Sequence, residues 1–163
     1  MRLRTFDYRH AELILTRKCH LKTEIQCILG GLQIETRSYL RHVQVLNPHR
    51  QIQRAFESRG WFAEAATSPF TGARTRFDLS KEGVAIEIET SSREFLYRDY
   101  FRFMLAESQG MLRVGIIILL DDAPDAPYSF ASRSCCPRLD DVIYDLRSLN
   151  HWISVPIWAI ALR

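Results

Sequence analysis

Strict alternation of apolar and acidic residues marks one short segment in the middle of the chain. Ala85, Ile86, Glu87, Ile88 and Glu89 alternate in this way. Side chains two residues apart share a face of a β-strand, so both glutamates point to one side and both isoleucines to the other. The polar Lys-Glu-Gly sequence at 81–83 is typical of a tight turn. The pattern predicts a β-hairpin over residues 76–89.

The rest of the pattern predicts further strands and several helices. Residues 114–120 (VGIIILL) are apolar on both faces, which is typical of a central strand in a covered sheet. A helical segment, 93–109, separates this run from the hairpin, and the order strand–helix–strand predicts a crossover between parallel strands. The other predicted helices are 9–15, 22–29, 48–59 and 139–150. A strand or extended arm is predicted at 2–8, and strands at 61–65 and 152–162.

Prolines and glycines indicate where several of these elements begin and end. Asn47 followed by Pro48 is the clearest helix start in the chain, because it joins an N-cap residue to a proline at the first helical position. Gly60 and Gly110 are typical of the residues that follow helices. Pro156 lies within the last predicted strand and has no N–H for the ladder, so it predicts an edge position or a bulge.

The longest predicted helix, 93–109, has two stripes of different character. Its apolar stripe is formed by Leu96, Tyr100, Phe103 and Met104. Its charged stripe is formed by Glu94, Arg98 and Arg102, with Glu94 and Arg98 in the favourable i, i+4 order. This helix is therefore expected to pack on the sheet with its charged stripe turned away.

Length, hydropathy and charge limit the class of protein. The 163 residues are the size of one domain, 1–163, with a substantial core. No apolar run approaches the ~18–20 residues that cross a bilayer, and the first residues lack a signal-peptide pattern, so we expect a cytoplasmic protein without a membrane partner. Residues 1–60 hold 11 basic against 5 acidic side chains, and 61–163 hold 11 against 14. A basic half joined to an acid-rich half favours a protein that holds a polyanion near metal-binding acids.

The acids of the hairpin give the strongest indication of chemistry. Asp78, on the first strand, is able to approach Glu87 across the hairpin, and Glu89 shares the face of Glu87. A solvated hairpin face would explain all three acids without a function, but carboxylates near the centre of a covered sheet repel one another unless a divalent cation offsets their charge. We expect Asp78 and Glu87 to bind Mg²⁺, and Glu89 to orient or deprotonate the attacking water. Glu64 is the expected fourth acid, with Glu57 as a weaker candidate.

The segments around these acids resemble a known family. The chain resembles the BglII/BamHI group of type II restriction endonucleases, within the PD-(D/E)XK nuclease superfamily. The similar segments are 6–15 (FDYRHAELIL), 61–64 (WFAE), 76–78 (RFD), 84–89 (VAIEIE), 95–96 (FL), 114–118 (VGIII) and 155–157 (VPI). The nine-residue step from Asp78 to Glu87 matches the family, and so does Glu89 at the position where most of the superfamily has Lys.

This resemblance implies a fold, a reaction and roles for individual residues. It implies an α/β, restriction-endonuclease-like PD-(D/E)XK core with a mixed central β-sheet flanked by helices. The implied reaction is Mg²⁺-dependent hydrolysis of DNA phosphodiester bonds, leaving 5′-phosphate ends, with Mn²⁺ as a substitute metal. The implied partners are double-stranded DNA and a second copy in a homodimer. The implied catalytic residues are Glu64, Asp78, Glu87 and Glu89, of which Asp78 and Glu87 ligate the metal.

Two questions stay open at the level of the sequence. Four arginines near the acids would contact phosphate groups, although solvation or salt bridges explain them equally well: Arg74, Arg76, Arg93 and Arg98. The alternative functions are a catalytically inactive DNA- or partner-binding module on the same fold, and a metal-dependent RNase or repair nuclease. Titration with Mg²⁺ or Mn²⁺ separates the inactive module from an enzyme, and a substrate panel separates the nucleases.

Overall fold

Six strands form one mixed β-sheet in the computed structural model, which describes residues 2–17, 20–34, 47–67, 76–90, 92–120 and 136–163. The strands are β1 (Leu3–Tyr8), β2 (Phe62–Ala66), β3 (Arg76–Lys81), β4 (Val84–Glu89), β5 (Val114–Leu120) and β6 (Ile157–Leu162). Their order across the sheet is β1-β6-β5-β4-β3-β2. The acidic strand β4 therefore lies inside the sheet next to the apolar strand β5, as predicted.

Both strand directions occur in this sheet. β4 pairs with β5, and β5 with β6, in parallel. β3 is antiparallel to β4, β2 to β3, and β1 to β6. The parallel β4–β5 pair needs a crossover connection, and the long helix between the two strands supplies it. The predicted hairpin, the strand–helix–strand unit and the mixed sheet are confirmed.

Five helices accompany the sheet in the described part of the chain. They are α1 (Ala11–Arg17), α2 (Leu21–Gly30), α3 (Pro48–Glu57), α4 (Arg93–Ser108) and α5 (Leu139–Ser148). Asn47 caps α3 as predicted, because its side chain accepts a hydrogen bond from the Arg50 N–H at 2.8 Å. None of the described helices is long and apolar enough to cross a membrane.

The helices cover both faces of the sheet. Helices α1, α2 and α3 pack on one face together with Ile86 and Ile88 of β4. Helices α4 and α5 pack on the other face, which also carries Ala85. The alternation in β4 thus has its predicted result, because the isoleucines face one core and the glutamates face the side of α4.

The last strand differs from the prediction in length and position. It begins at Ile157 rather than at 152, and it lies between β1 and β5 rather than at an edge. Pro156 directly precedes the strand, where its missing N–H costs no ladder hydrogen bond. Its carbonyl oxygen still accepts a hydrogen bond from the Gly115 N–H at 2.9 Å. The edge position and the bulge predicted from Pro156 are both wrong.

Candidate active site

A two-residue turn aligns the first pair of acids. Glu82 and Gly83 join β3 to β4, and both have positive φ angles, 51° and 77°. Such a turn matches the twist of the two strands that it connects. The paired residues run from Lys81 with Val84 to Leu79 with Ile86. The next pair in this register is Asp78 with Glu87. The two-residue turn thus makes two acids that are nine residues apart in the sequence neighbours across the hairpin.

Side chains replace the regular ladder at this point. The Asp78 N–H donates to Glu87 Oε2 at 3.4 Å, and the Ile88 N–H donates to Asp78 Oδ2 at 2.8 Å. Regular pairing between β3 and β4 runs from the turn as far as Leu79 and Ile86, and Asp78 and Glu87 are the next residues. The two carboxylates therefore lie between the strands and accept backbone hydrogen bonds from them.

A cavity of about 310 Å³ opens beside these acids. It is lined by His49, Asp78, Glu87, Ile88, Glu89, Thr90, Phe95, Arg98 and Asp99. The structure thus brings together four of the residues singled out in the sequence: Asp78, Glu87, Glu89 and Arg98. It also adds three residues that were not predicted as site residues: His49, Phe95 and Asp99.

Glu89 lies at the end of β4, where helix α4 approaches. Its side chain is buried, and Oε1 accepts a hydrogen bond from the Ser92 N–H at 3.3 Å. Ser92 is the N-cap residue of α4, with its side chain accepting from the Glu94 N–H. The start of α4 therefore helps to fix the Glu89 carboxylate at the wall of the cavity.

The two central acids differ in protonation. Burial, together with the charges of Asp99 and Asp78, raises the pKa of Glu87 to about 9, although Arg102 acts in the opposite direction. Burial also raises the pKa of Asp78, but hydrogen bonds from His49 and from the Ile88 N–H outweigh this, together with one from Glu87, and the pKa is lowered. Without a cation, the pair therefore carries one proton near neutral pH.

Arg102 and Asp99 extend the site behind Glu87. Arg102 Nη1 lies 3.0 Å from Glu87 Oε1 and 3.3 Å from Asp99 Oδ1. Arg102 was predicted to lie on the side of α4 away from the apolar stripe, and this is wrong, because its side chain is only 13 % exposed and contacts Glu87 of β4. Asp99 follows Leu96 by three residues and is buried with it. A lone acid inside an apolar stripe is the sequence signal that could have found it.

His49 comes to the site from the first turn of α3. Its Nε2 lies 3.1 Å from Asp78 Oδ2. The helix start at Asn47–Pro48 was predicted, but the sequence gives no measure of the distance between α3 and the hairpin. That distance depends on long-range packing of α3 against the face of β4 that carries the isoleucines.

The remaining candidates lie apart from the cavity wall. Glu64 is on β2 with a φ angle of 51°, its side chain is 60 % exposed, and its Oε2 lies 3.4 Å from Arg76 Nη1. Ala63 pairs with Leu79 and Ala65 pairs with Phe77, so Glu64 lies opposite Asp78 on the neighbouring strand. Arg93 pairs with Asp141 and Asp145 of α5. Arg74 lies outside the described residues.

The donor set suits a hard divalent cation held by few protein ligands. Carboxylate oxygens are what Mg²⁺ prefers, and it commonly keeps water while binding one or two carboxylates and a substrate phosphate. Within the described residues, no three acidic, histidine or cysteine side chains meet closely enough to hold a metal ion by themselves. Asp78 and Glu87 therefore have the chemistry of a two-carboxylate Mg²⁺ site, whose remaining ligands would come from water and substrate.

Comparisons with known proteins agree with this architecture. A family model described as restriction endonuclease BglII/BglIII matches residues 3–162. The crystal structure of restriction endonuclease BglII complexed with a DNA 16-mer matches with a TM-score of 0.77 and 21% identity, covering 99% of this chain and 76% of that one. Free BglII matches with a TM-score of 0.67 and 20% identity, covering 100% and 80%. No curated protein sequence is significantly similar.

Proposed function

The chain belongs to the BglII/BglIII restriction endonuclease family, and from this we propose that it is a Mg²⁺-dependent DNA endonuclease that hydrolyses phosphodiester bonds. The observation that supports this most is the meeting of Asp78 and Glu87 across a tight hairpin, beside a cavity that a third acid, the buried Glu89, also lines. Two buried carboxylates next to a partly exposed one repel one another, and a bound cation offsets that cost. The family and the cavity thus support the same chemistry.

Asp78 and Glu87 are the proposed ligands of Mg²⁺, with Mn²⁺ as a substitute. When bound, the ion would lower the pKa of a water molecule and offset the charge of the scissile phosphate. Glu89 lies on the same face of β4 as Glu87, so its carboxylate is suited to orient the attacking water and to accept its proton. With its proton accepted by Glu89, the water oxygen would bond to phosphorus as the bond from phosphorus to the 3′ oxygen breaks. The 3′ oxygen would take a proton from solvent, which gives a 3′-hydroxyl and the expected 5′-phosphate end.

Double-stranded DNA is the proposed substrate. The 16-mer complex is a property of BglII, and we extend DNA binding to this chain because of the shared family. Arg98 lines the cavity with a half-exposed side chain, whose Nε lies 3.7 Å from Asp99 Oδ1, and this position suits contact with a phosphate next to the scissile one. Arg76 and Arg93 do not line the cavity and pair with Glu64 and with two acids of α5, so they are weaker candidates. Glu64 remains a proposed accessory acid.

A homodimer is proposed because one site cuts one strand and a two-fold pair cuts both. The face of α4 and α5 supports this idea. Three large aromatic side chains are exposed there: Tyr97, Phe101 and Tyr144. Tyr97 and Phe101 stand one turn apart on α4, so they present a continuous apolar strip.

Plasmid cleavage tests the proposal directly. Supercoiled DNA with Mg²⁺ or Mn²⁺ is expected to be nicked or linearised by the wild-type protein, and Glu87→Gln is expected to lower the rate by at least ~100-fold while the circular dichroism spectrum stays the same. Glu57, the weaker candidate for the fourth acid, lies on the exposed surface of α3 and does not line the cavity. Glu57→Gln is therefore the matched control and should cut as fast as wild type. Full cleavage by Glu87→Gln would contradict the site assignment. Salt-dependent DNA binding without cleavage would favour the inactive module, and cleavage of RNA alone would favour an RNase.

A further inference from the structure

A largely buried arginine outside the hairpin contacts one of the two proposed metal ligands. Arg102 Nη1 donates to Glu87 Oε1 at 3.0 Å and to Asp99 Oδ1 at 3.3 Å. Glu87 is 3 % exposed and Asp99 is 2 % exposed. Because a charge left unpaired at this depth is costly, the three groups have little freedom to separate.

Packing of α4 fixes where this guanidinium lies. The next residue, Phe103, packs against Gly115 of β5, where an added Cβ would lie 2.7 Å from the phenylalanine ring. Glycine at this position lets α4 lie close to the sheet. Leu96 and Tyr100 are buried on the same side of the helix. Arg102 is therefore held against β4 by the core and not only by its own ion pairs.

The two oxygens of Glu87 have different partners. Oε1 accepts from Arg102, whereas Oε2 is turned toward Asp78, whose N–H donates to it at 3.4 Å. Asp78 shows the same division, because its Oδ2 accepts from the Ile88 N–H and lies 3.1 Å from His49 Nε2. Glu87 Oε1 is thus held by a side-chain donor at 3.0 Å, whereas Oε2 has only the longer backbone contact at 3.4 Å and is the oxygen turned toward Asp78.

We propose that Arg102 is a positioning residue of the metal site. Its guanidinium holds Glu87 Oε1 so that Oε2 is presented to the ion, and Asp99 holds the guanidinium. Hydrogen-bond partners behind a metal ligand commonly set its orientation in this way. The inference rests on the proposed metal-dependent function and adds to it a residue from the crossover helix.

The positive charge of Arg102 also acts against metal binding, so the direction in which the metal affinity changes on its removal tests the proposal. A fixed positive charge near a ligand also repels a cation and competes for the carboxylate. If competition were its only effect, removing Arg102 would strengthen metal binding. If positioning dominates, removing it weakens metal binding.

Calorimetric titration with Mn²⁺ alone distinguishes these effects. Arg102→Met is expected to bind Mn²⁺ about 10–100-fold more weakly than wild type, and Arg102→Lys, which keeps a charge at the same place, is expected to recover part of the loss. Arg54→Met, an exposed arginine of α3, is the matched control and should bind like wild type. In cleavage assays, the half-saturating Mg²⁺ concentration should rise by a similar factor, with a smaller change in the rate at saturating metal.

Unchanged or tighter Mn²⁺ binding by a folded Arg102→Met protein would overturn the proposal. If circular dichroism shows that this variant does not fold, Asp99→Asn decides, because it loosens the guanidinium without removing it. A severalfold weaker Mn²⁺ affinity of Asp99→Asn supports the proposal, and wild-type affinity overturns it. Wild-type protein that binds no Mn²⁺ would overturn this inference together with the metal role, whereas Mn²⁺ binding without cleavage of any DNA would remove only the proposed nuclease activity.

Discussion

Two carboxyl groups in contact inside a protein cannot both carry a full charge without a partner. Here the donors around Asp78 keep it ionised, while burial raises the pKa of Glu87 to about 9 and leaves it protonated at neutral pH. A divalent cation between the two groups would take the place of that proton. At the scale of single residues, binding of the metal is therefore expected to release the proton of Glu87.

The thermal stability of the metal-free protein should depend on whether Glu87 carries its proton. The pKa of Glu87 is about 9 in the folded state and 4.5 as its reference value, so the folded state binds the proton more strongly. The protonated Glu87 therefore contributes its full share of the free energy of unfolding below pH 4.5. This contribution is lost as pH rises toward 9, by at most ~1.4 kcal/mol per pH unit. Glu87→Gln removes this loss, and its Tm measured in EDTA should exceed that of wild type by several degrees more at pH 8 than at pH 5, given ~2–4 °C per kcal/mol. An equal Tm difference at both pH values would contradict the buried, protonated glutamic acid.

The site was predictable from the sequence only as far as it depends on local geometry. Alternation assigned Glu87 and Glu89 to one face, and the short turn brought Asp78 to Glu87. His49 and Arg102 come from α3 and α4, and their distances to the hairpin depend on how two helices pack on opposite faces of the sheet. No local sequence pattern predicts these distances. The acid Asp99 within an apolar stripe is the one local feature that would have indicated a polar partner for α4.

At the scale of elements, the β3–β4 turn sets the spacing of the acids. Its two residues adopt positive φ angles, and Gly83 does so without a Cβ. One inserted residue would shift the register and turn every side chain of one strand to the other face. The turn therefore determines whether Asp78 and Glu87 meet at all.

Substitution of the turn glycine should cost stability through the backbone alone. Gly83→Ala places a Cβ at 3.7 Å from Arg113 and Met111 atoms, which is ordinary contact, but its φ of +77° is strained for alanine. We expect a loss of ~1–2 kcal/mol, measured as a lower midpoint of urea unfolding. Gly30→Ala in α2 is the control, since nothing lies within 4 Å of its Cβ and its helical conformation suits alanine. Equal midpoints for the two variants would show that the turn is not strained.

Helix starts and hairpins were predictable because each depends on residues near one another in the chain. The position of β6 was not, since it depends on pairing with β1, more than 140 residues earlier. Pro156 is compatible with an edge strand or with the residue before an inner strand, and only the pairing decides between them.

At the scale of the molecule, the exposed aromatics of α4 and α5 give the dimer proposal a measurable consequence. Phe101 is 63 % exposed and stands beside Tyr97 on the same face of α4. If this face joins two copies, Phe101→Glu should convert a dimer to a monomer in light scattering and should shift plasmid products from linear to nicked. Phe62→Glu, on the edge strand β2 and 72 % exposed, is the control and should remain dimeric. A dimer that survives Phe101→Glu would place the interface elsewhere.

The position of β6 also has a consequence for the order of folding. β6 is the last of the described strands, and it separates β1 from the rest of the sheet, with Leu3 opposite Leu162 and the backbones of Arg2 and Arg163 hydrogen-bonded at 2.8 and 2.9 Å. β1 therefore lacks the strand that it pairs with until residues 157–162 have left the ribosome. The hairpin with its acids is synthesised earlier and can form early, but the sheet that fixes it is complete only after residues 157–162 emerge. During synthesis, the nascent chain thus holds the acids of the proposed site before it holds the rigid framework that would position them.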